Sequence, residues 1–541
     1  MRPAAPFLLA FCVVVSAAAQ QQDHAGSPPE KLGTVHFATS CSPEVQPAFD
    51  RAVALQHSFW FSQAREAFTG VLAKDPSCAI AYWGVALTHL GNPFGVNRSV
   101  EALGSARAAI EKGLAAGPKT QRERDYLAAA GELFANFETT DQRTRALAYE
   151  RAMARVAAAN PDDTEAVIFH ALALVQTAPP TDNTYKNQLA AGALLEPLFA
   201  KYSDHPGLAH YIIHAYDVPP LAPKALTAAR RYAEIAPSAP HALHMPSHTF
   251  TRVGSWDESV ESNLRSAEAA HREAAVSDEM HAMDYLVYAY LQTARDQAAR
   301  TVGAALERLL SSLPKETTGL SVMTAAGFFA AAAIPARYAL ERSAWAEAAA
   351  LAVRPNGAPH VTAMTHFARA LGAARTGALE QARAEERILG ELHDQLVNAN
   401  DSYWAEQVDI QRGIANAWIA FASNDARAAE RLLTAAADRE DATEKATVTP
   451  GPLTPARESL GDLLMALERP ADALSMYERN LKKEPNRLKS VYGAARAAEL
   501  SGDPGKAREY YTQLATMCAR ADTPDRPELR AALLFLQKKK S

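Results

Sequence analysis

The strongest constraint on the fold is a pattern that returns along the chain: a small residue inside one apolar-faced helical stretch, a short turn, a second small residue in the next stretch, then proline. It is first met at Ala48, Ala52, Leu55, Ala64, Phe68, Val71 and Pro76. Apolar residues three and four apart mark helices with one buried stripe, and Asp75-Pro76 ends the second helix. The arrangement returns as Ala225, Ala229, Tyr232 and Pro237 in a unit from Pro206, and as Leu243, Ser247, Phe250, Ser259 and Asn263 in a unit from Pro240. Gly254, Trp256 and Asp257 make the turn of that second unit. It comes back at Gly461, Ala473, Tyr477 and Pro485, then at Ala495, Ala507 and Tyr511. A helix pair with a single apolar stripe cannot bury it alone, so pairs must stack. Abundant alanine, only 26 glycines in 541 residues and no long alternating stretches make the chain all-α.

On these residues the chain resembles the tetratricopeptide repeat (TPR) family, whose unit has small residues at its eighth and twentieth positions and proline at its thirty-second. Ala52, Ala64 and Pro76 fall on them. The resemblance implies an α-α superhelix, a solenoid whose concave groove is lined by the first helix of each unit and holds a protein or peptide segment. Looser helical pairs are expected at 121–159, 163–201, 279–312, 321–352, 363–396 and 402–436.

The start, MRPAAPFLLAFCVVVSAAAQ, places Arg2 before an apolar stretch and small residues Ala17 and Ala19 after it. That reads as a cleavable signal peptide over 1–19 and a periplasmic or secreted protein. A flexible leader is expected over 20–40, the solenoid over 41–437, a proline-rich loop over 438–455 and C-terminal repeats over 456–541. The loop either separates the C-terminal pair or folds into the concave face. Asn92 to Asn97 interrupts the second unit. No stretch is long and apolar enough to span a bilayer. A formal charge of −6 gives no broad basic surface for nucleic acid. Cys41 and Cys78, one repeat apart in an exported chain, suggest a disulfide, with two separate buried thiols as the alternative. Cys518 has no sequence partner and reads as a core thiol.

His210 and His214, and one unit later His244 and His248, are spaced four apart, which puts each pair on one helical face. In the TPR frame these four and His241 face the groove, with Tyr211 beside them, Asp217 at the end of the first helix and Arg252 at the end of the next. The following unit adds His281, Asp284 and Tyr288 on one face. Facing histidine pairs offer nitrogen to zinc or copper, with Asp217 or Asp284 as an oxygen ligand or outer acceptor. Calcium and magnesium, which prefer oxygen, do not fit. Pro246 should restart the helix between His244 and His248.

Three readings follow. One is an exported scaffold holding a protein or peptide segment, with Tyr211, Asp217, His241, Arg252 and Tyr288 in its groove. The second is a transition-metal protein using His210, His214, His244, His248, His281 and Asp284, extending to metal-dependent hydrolysis with an aspartate as base. The third is a groove that charges near pH 6. No HExxH, GxSxG or phosphate-cradling glycine loop is present, so binding is favoured over catalysis. His57 faces the groove but lies several repeats from the cluster in sequence, and is expected to stay apart from it. Trp60, Trp83 and Trp256 are expected to pack.

Overall fold

The computed structural model describes residues 30–95, 98–313, 325–355 and 357–538. Among these residues every regular element is helical, in antiparallel pairs that follow one another along the chain. The first pair is Gln46–His57 with Phe61–Lys74, and the next is Ala79–Leu90 with Val100–Ala115. The looser units are also helical pairs, among them Gln121–Glu132 with Gln142–Ala159, Thr164–Thr177 with Lys186–Lys201, and Leu379–Asn398 after Pro359–Arg375. The architecture is an all-α solenoid. Ala52, Ala64, Ala229, Ala473 and Ala507 are buried, as positions where helix axes close on each other must be. At Gly84 a Cβ would come within 2.4 Å of the Phe68 ring, so the aromatic of one helix lies directly on the backbone of the next.

The array is not open-ended. Gly254 has φ +70° and an added Cβ there would meet the Pro485 carbonyl at 2.5 Å, so the turn needs glycine both for its backbone and for the close approach. Asn486 Nδ2 donates to the Gly254 carbonyl (3.1 Å) and Trp256 Nε1 to the Asn486 carbonyl (2.8 Å). Arg526 Nη1 donates to the Leu291 carbonyl (2.9 Å) and pairs with Asp296 (2.8 Å). The C-terminal repeats therefore pack back onto the middle of the chain.

Two expectations need adjustment. The leader assigned to 20–40 is not flexible over its described part: Leu32, Val35 and Phe37 are buried, and Phe37 packs on Phe49, Trp83 and Tyr126. Its apolar residues sit two and three apart in extended chain, and Thr34 N donates to the Asp204 carbonyl at 3.0 Å. The solenoid helix expected to stop at 437 runs on as Ala426–Asp441, leaving 442–455 as the irregular segment. Residues 1–29, which include the expected signal peptide, lie outside the described residues. Cys41 and Cys78 form a disulfide, S–S 2.01 Å. Cys518 is buried, its thiol pushed up to about 12 by burial. Among the described residues no helix is long and apolar enough to cross a membrane.

Candidate metal centre

Four helices carry the histidines: Pro206–Ala215 has His210 and His214, Pro240–His244 has His241 and His244, Pro246–Arg252 has His248, and Val276–Leu291 has His281. The restart at Met245–Pro246 follows from proline's missing N–H. The six histidines form two sets, His210/His214/His241 and His244/His248/His281, and within each set the ligand nitrogens lie within 4.8 Å of one another. This is not two facing pairs, as the spacing suggested. His241, expected only to contact a bound segment, joins the first set with its Nε2 3.2 Å from His210 Nε2. His281 completes the second.

The outer bonds of three rings settle where their protons sit. His210 Nδ1 donates to the His57 carbonyl (2.6 Å), His244 Nδ1 to Asn263 Oδ1 (2.7 Å) and His248 Nδ1 to Asp217 Oδ2 (3.0 Å). Asn263 Nδ2 donates to the Ser259 carbonyl (2.7 Å), which turns its oxygen toward His244. None of these acceptors has a proton to give, so in each neutral ring Nδ1 holds the proton and Nε2 is a lone pair, with the Tyr285 hydroxyl 3.4 Å from that of His248. Burial pushes His210, His214, His241, His244 and His281 well below the ordinary histidine value, each further lowered by neighbouring histidines. His248 is also lowered by burial, against the opposing pull of Asp217. Both nitrogens of buried His214, and Nδ1 of His281, have no hydrogen-bond partner among the described residues.

Phe59 stacks on His241 (5.2 Å between ring centres) and His214 (5.8 Å), and Phe94 covers His214 at 4.3 Å. On the other side the irregular segment 442–455 closes over the cluster. Lys445 Nζ lies 3.7 Å from Asp217 Oδ1, and the Tyr285 hydroxyl is 3.3 Å from the carbonyls of both Thr447 and Thr449. Glu444 accepts from the Tyr185 hydroxyl (2.9 Å) and Arg337 Nη2 donates to Thr449 Oγ1 (2.6 Å). Burial pushes Lys445 down to about 8.

The residues expected to hold a bound segment are thereby covered by the chain itself. Tyr211 is buried with its hydroxyl 3.0 Å from His57 Nδ1. Tyr288 is buried, and Arg487 Nη1 donates to its hydroxyl at 3.3 Å. Arg252 is buried on Asp217, Nε to Oδ1 2.9 Å. Burial works against ionisation of Asp217, but Lys445, Arg252 and His248 together hold its carboxyl well below the usual range. Asp284, expected as a metal ligand, belongs to neither set; its Oδ1 accepts from Arg337 Nε at 2.8 Å, and the buried guanidinium draws it away from the histidines.

His57 does not stay apart. The winding of the solenoid brings the helix Gln46–His57 against Pro206–Ala215, so the His57 carbonyl orients His210. The His57 ring belongs to a further buried set: its Nε2 and that of His205 each lie 2.8 Å from Glu165. Burial opposes the charge on Glu165, yet His57 and His205 hold its carboxyl far below the ordinary range. Tyr285, four residues after His281 on the same helical face, was legible from spacing and was overlooked. Lys445 had no periodic signal.

A family model of the tetratricopeptide repeat matches residues 52–119 and 459–525. No curated protein matches the chain by sequence. Among solved structures it is similar to the human IFIT1 dimer with m7Gppp-AAAA, at 12% identity over 82% of this chain and 90% of that one, TM-score 0.36. It is also similar to Naa15/Naa10 bound to HypK-THB, at 11% identity over 91% of this chain and 74% of that one, TM-score 0.24. At such TM-scores neither the arrangement nor the ligands of those proteins transfer to this chain. Residues 52–119 and 459–525 are tetratricopeptide repeats, a unit that generally mediates interaction between proteins.

Proposed function

We propose that the protein binds a transition metal, zinc or copper, at the six-histidine cluster. One observation carries this: His244 Nε2 and His248 Nε2 lie 3.1 Å apart while both Nδ1 atoms are spent as donors. Two lone pairs at that distance repel, and the Tyr285 hydroxyl, 3.4 Å from His248 Nε2, has one proton and cannot serve both; a cation beside them removes the repulsion. A proton is disfavoured by burial of both rings. Zn–N bonds of about 2.0–2.1 Å in tetrahedral array put neighbouring nitrogens roughly 3.3 Å apart, close to the spacing found. An all-imidazole set suits zinc or copper and not calcium or magnesium. Hydrolysis gains no support, because Asp217 is tied to three cationic or donor groups and Asp284 to Arg337. Export to an oxidising compartment fits the signal-like start and the Cys41–Cys78 disulfide.

Elemental analysis of the purified, untagged mature protein tests this, beside a variant with His210, His214, His244 and His248 changed to alanine. Near-stoichiometric zinc or copper in wild type and none in the variant is expected. Absence from both, even after incubation with each metal, overturns it. The matched repeats favour a second role, binding a partner protein, on surfaces other than the filled positions around the cluster; a partner captured equally by wild type and the histidine variant supports that role as separate.

A further inference from the structure

We propose that the two histidine sets hold a pair of copper(II) ions bridged by one hydroxide. This rests on the metal reading above and goes further, fixing the number of ions, the metal and the ligand between them. The sets are not independent sites. Ring centres across them are 6.1 Å apart for His241 and His244 and 6.2 Å for His214 and His248, within the 4.4 to 6.4 Å found inside the second set. Each set has three imidazoles, which leaves every ion an open coordination position. His214, buried with both nitrogens unpartnered, stands at the junction: within the first set its ring lies 4.8 Å from that of His210, and it is 6.2 Å from His248 of the second.

Charge argues for the bridge. Six neutral imidazoles contribute no negative charge, and the one carboxylate bonded to a ring, Asp217, is already offset by Arg252 and Lys445. Two divalent ions this close therefore need an anion between them, and a shared water that loses its proton to solvent supplies it. Neither set contains thiolate or carboxylate. Nitrogen sites hold copper(II) more tightly than the other first-row divalent ions, and a compartment that keeps the Cys41–Cys78 disulfide keeps copper in that state.

The test is a copper(II) titration of the metal-free, full-length mature protein, with bound copper counted after desalting and electron paramagnetic resonance used to count spins. Two copper per chain with a spin count far below two is expected, since a hydroxide bridge pairs the unpaired electrons. His214→Gln and His281→Gln should each give one copper per chain with its full spin. Two copper with two full spins, or one copper in wild type, overturns the bridged pair while leaving the metal reading intact. No copper at all overturns the copper pair, and no zinc after incubation with zinc as well removes the metal reading itself. Should a variant fail to fold, by circular dichroism, the wild-type spin count still decides.

Discussion

Asp217 Oδ2 accepts from His248 Nδ1 across 3.0 Å, and that bond decides which nitrogen of His248 faces the cluster. An outer carboxylate of this kind raises ligand basicity, and its loss typically weakens metal binding about 10–100-fold. Asp217→Ala is expected to lose affinity on that scale in a chelator competition, while Asp217→Asn, which keeps an acceptor oxygen, falls less. Equal affinity in all three would detach the carboxylate from the site.

Acid should unfold the metal-free protein steeply. The histidines are held neutral by burial, so the unfolded chain binds more protons and stability rises with pH. That stability is whole above the ordinary histidine value and is lost as pH drops below ~6.5, by up to about 1.4 kcal/mol per pH unit for each ring. Asp217, lowered in the fold, acts in the same direction at more acid pH. Urea midpoints measured from neutral to mildly acid pH should fall sharply, and bound metal, which competes with protons, should shift the fall to lower pH.

The Cys41–Cys78 bond joins residues 37 apart. Replacing both by serine relaxes the unfolded chain and should cost about 4 kcal/mol by the loop-entropy argument. The check is the denaturant midpoint, together with faster amide exchange in Gln46–His57, the helix that follows Cys41.

Arg487 is buried between Glu458, at 2.8 and 3.0 Å, and Glu341, at 2.7 Å. Arg487→Ala strands two buried carboxylates and should destabilise by about 3–5 kcal/mol, read from urea unfolding. Arg487→Lys should recover little, since one ammonium cannot make the forked contact. A near-neutral result for alanine would mean that this ion-pair cluster adds nothing net to the fold.

Ala52, Ala64 and Pro76 made the helix pairs legible, because close helix approach needs small residues at fixed intervals whatever the rest of the sequence does. The histidine spacing likewise put His210 with His214 and His244 with His248. What spacing could not give was the grouping: His241 and His244, three apart on the short helix Pro240–His244, go to different sets because one meets Pro206–Ala215 and the other meets Pro246–Arg252 and Val276–Leu291. Phe37 was overlooked in a polar stretch because one buried ring in extended chain makes no periodic pattern. Lys445 and Thr449 were invisible for a related reason: they meet Asp217, Tyr285 and Arg337 across more than a hundred residues of chain, through a segment with no period at all.

The segment 442–455 also sets an order of events. All six histidines have been synthesised by His281, yet the residues that close over them belong to the far end of the solenoid. Until that end is made and wound back, nothing from 442–455 lies over the cluster. Afterwards Lys445, Thr447 and Thr449 lie across it. The cover is therefore the last part of the site to be made: the six rings come from 210–281, and what lies across them waits for chain more than 150 residues further on.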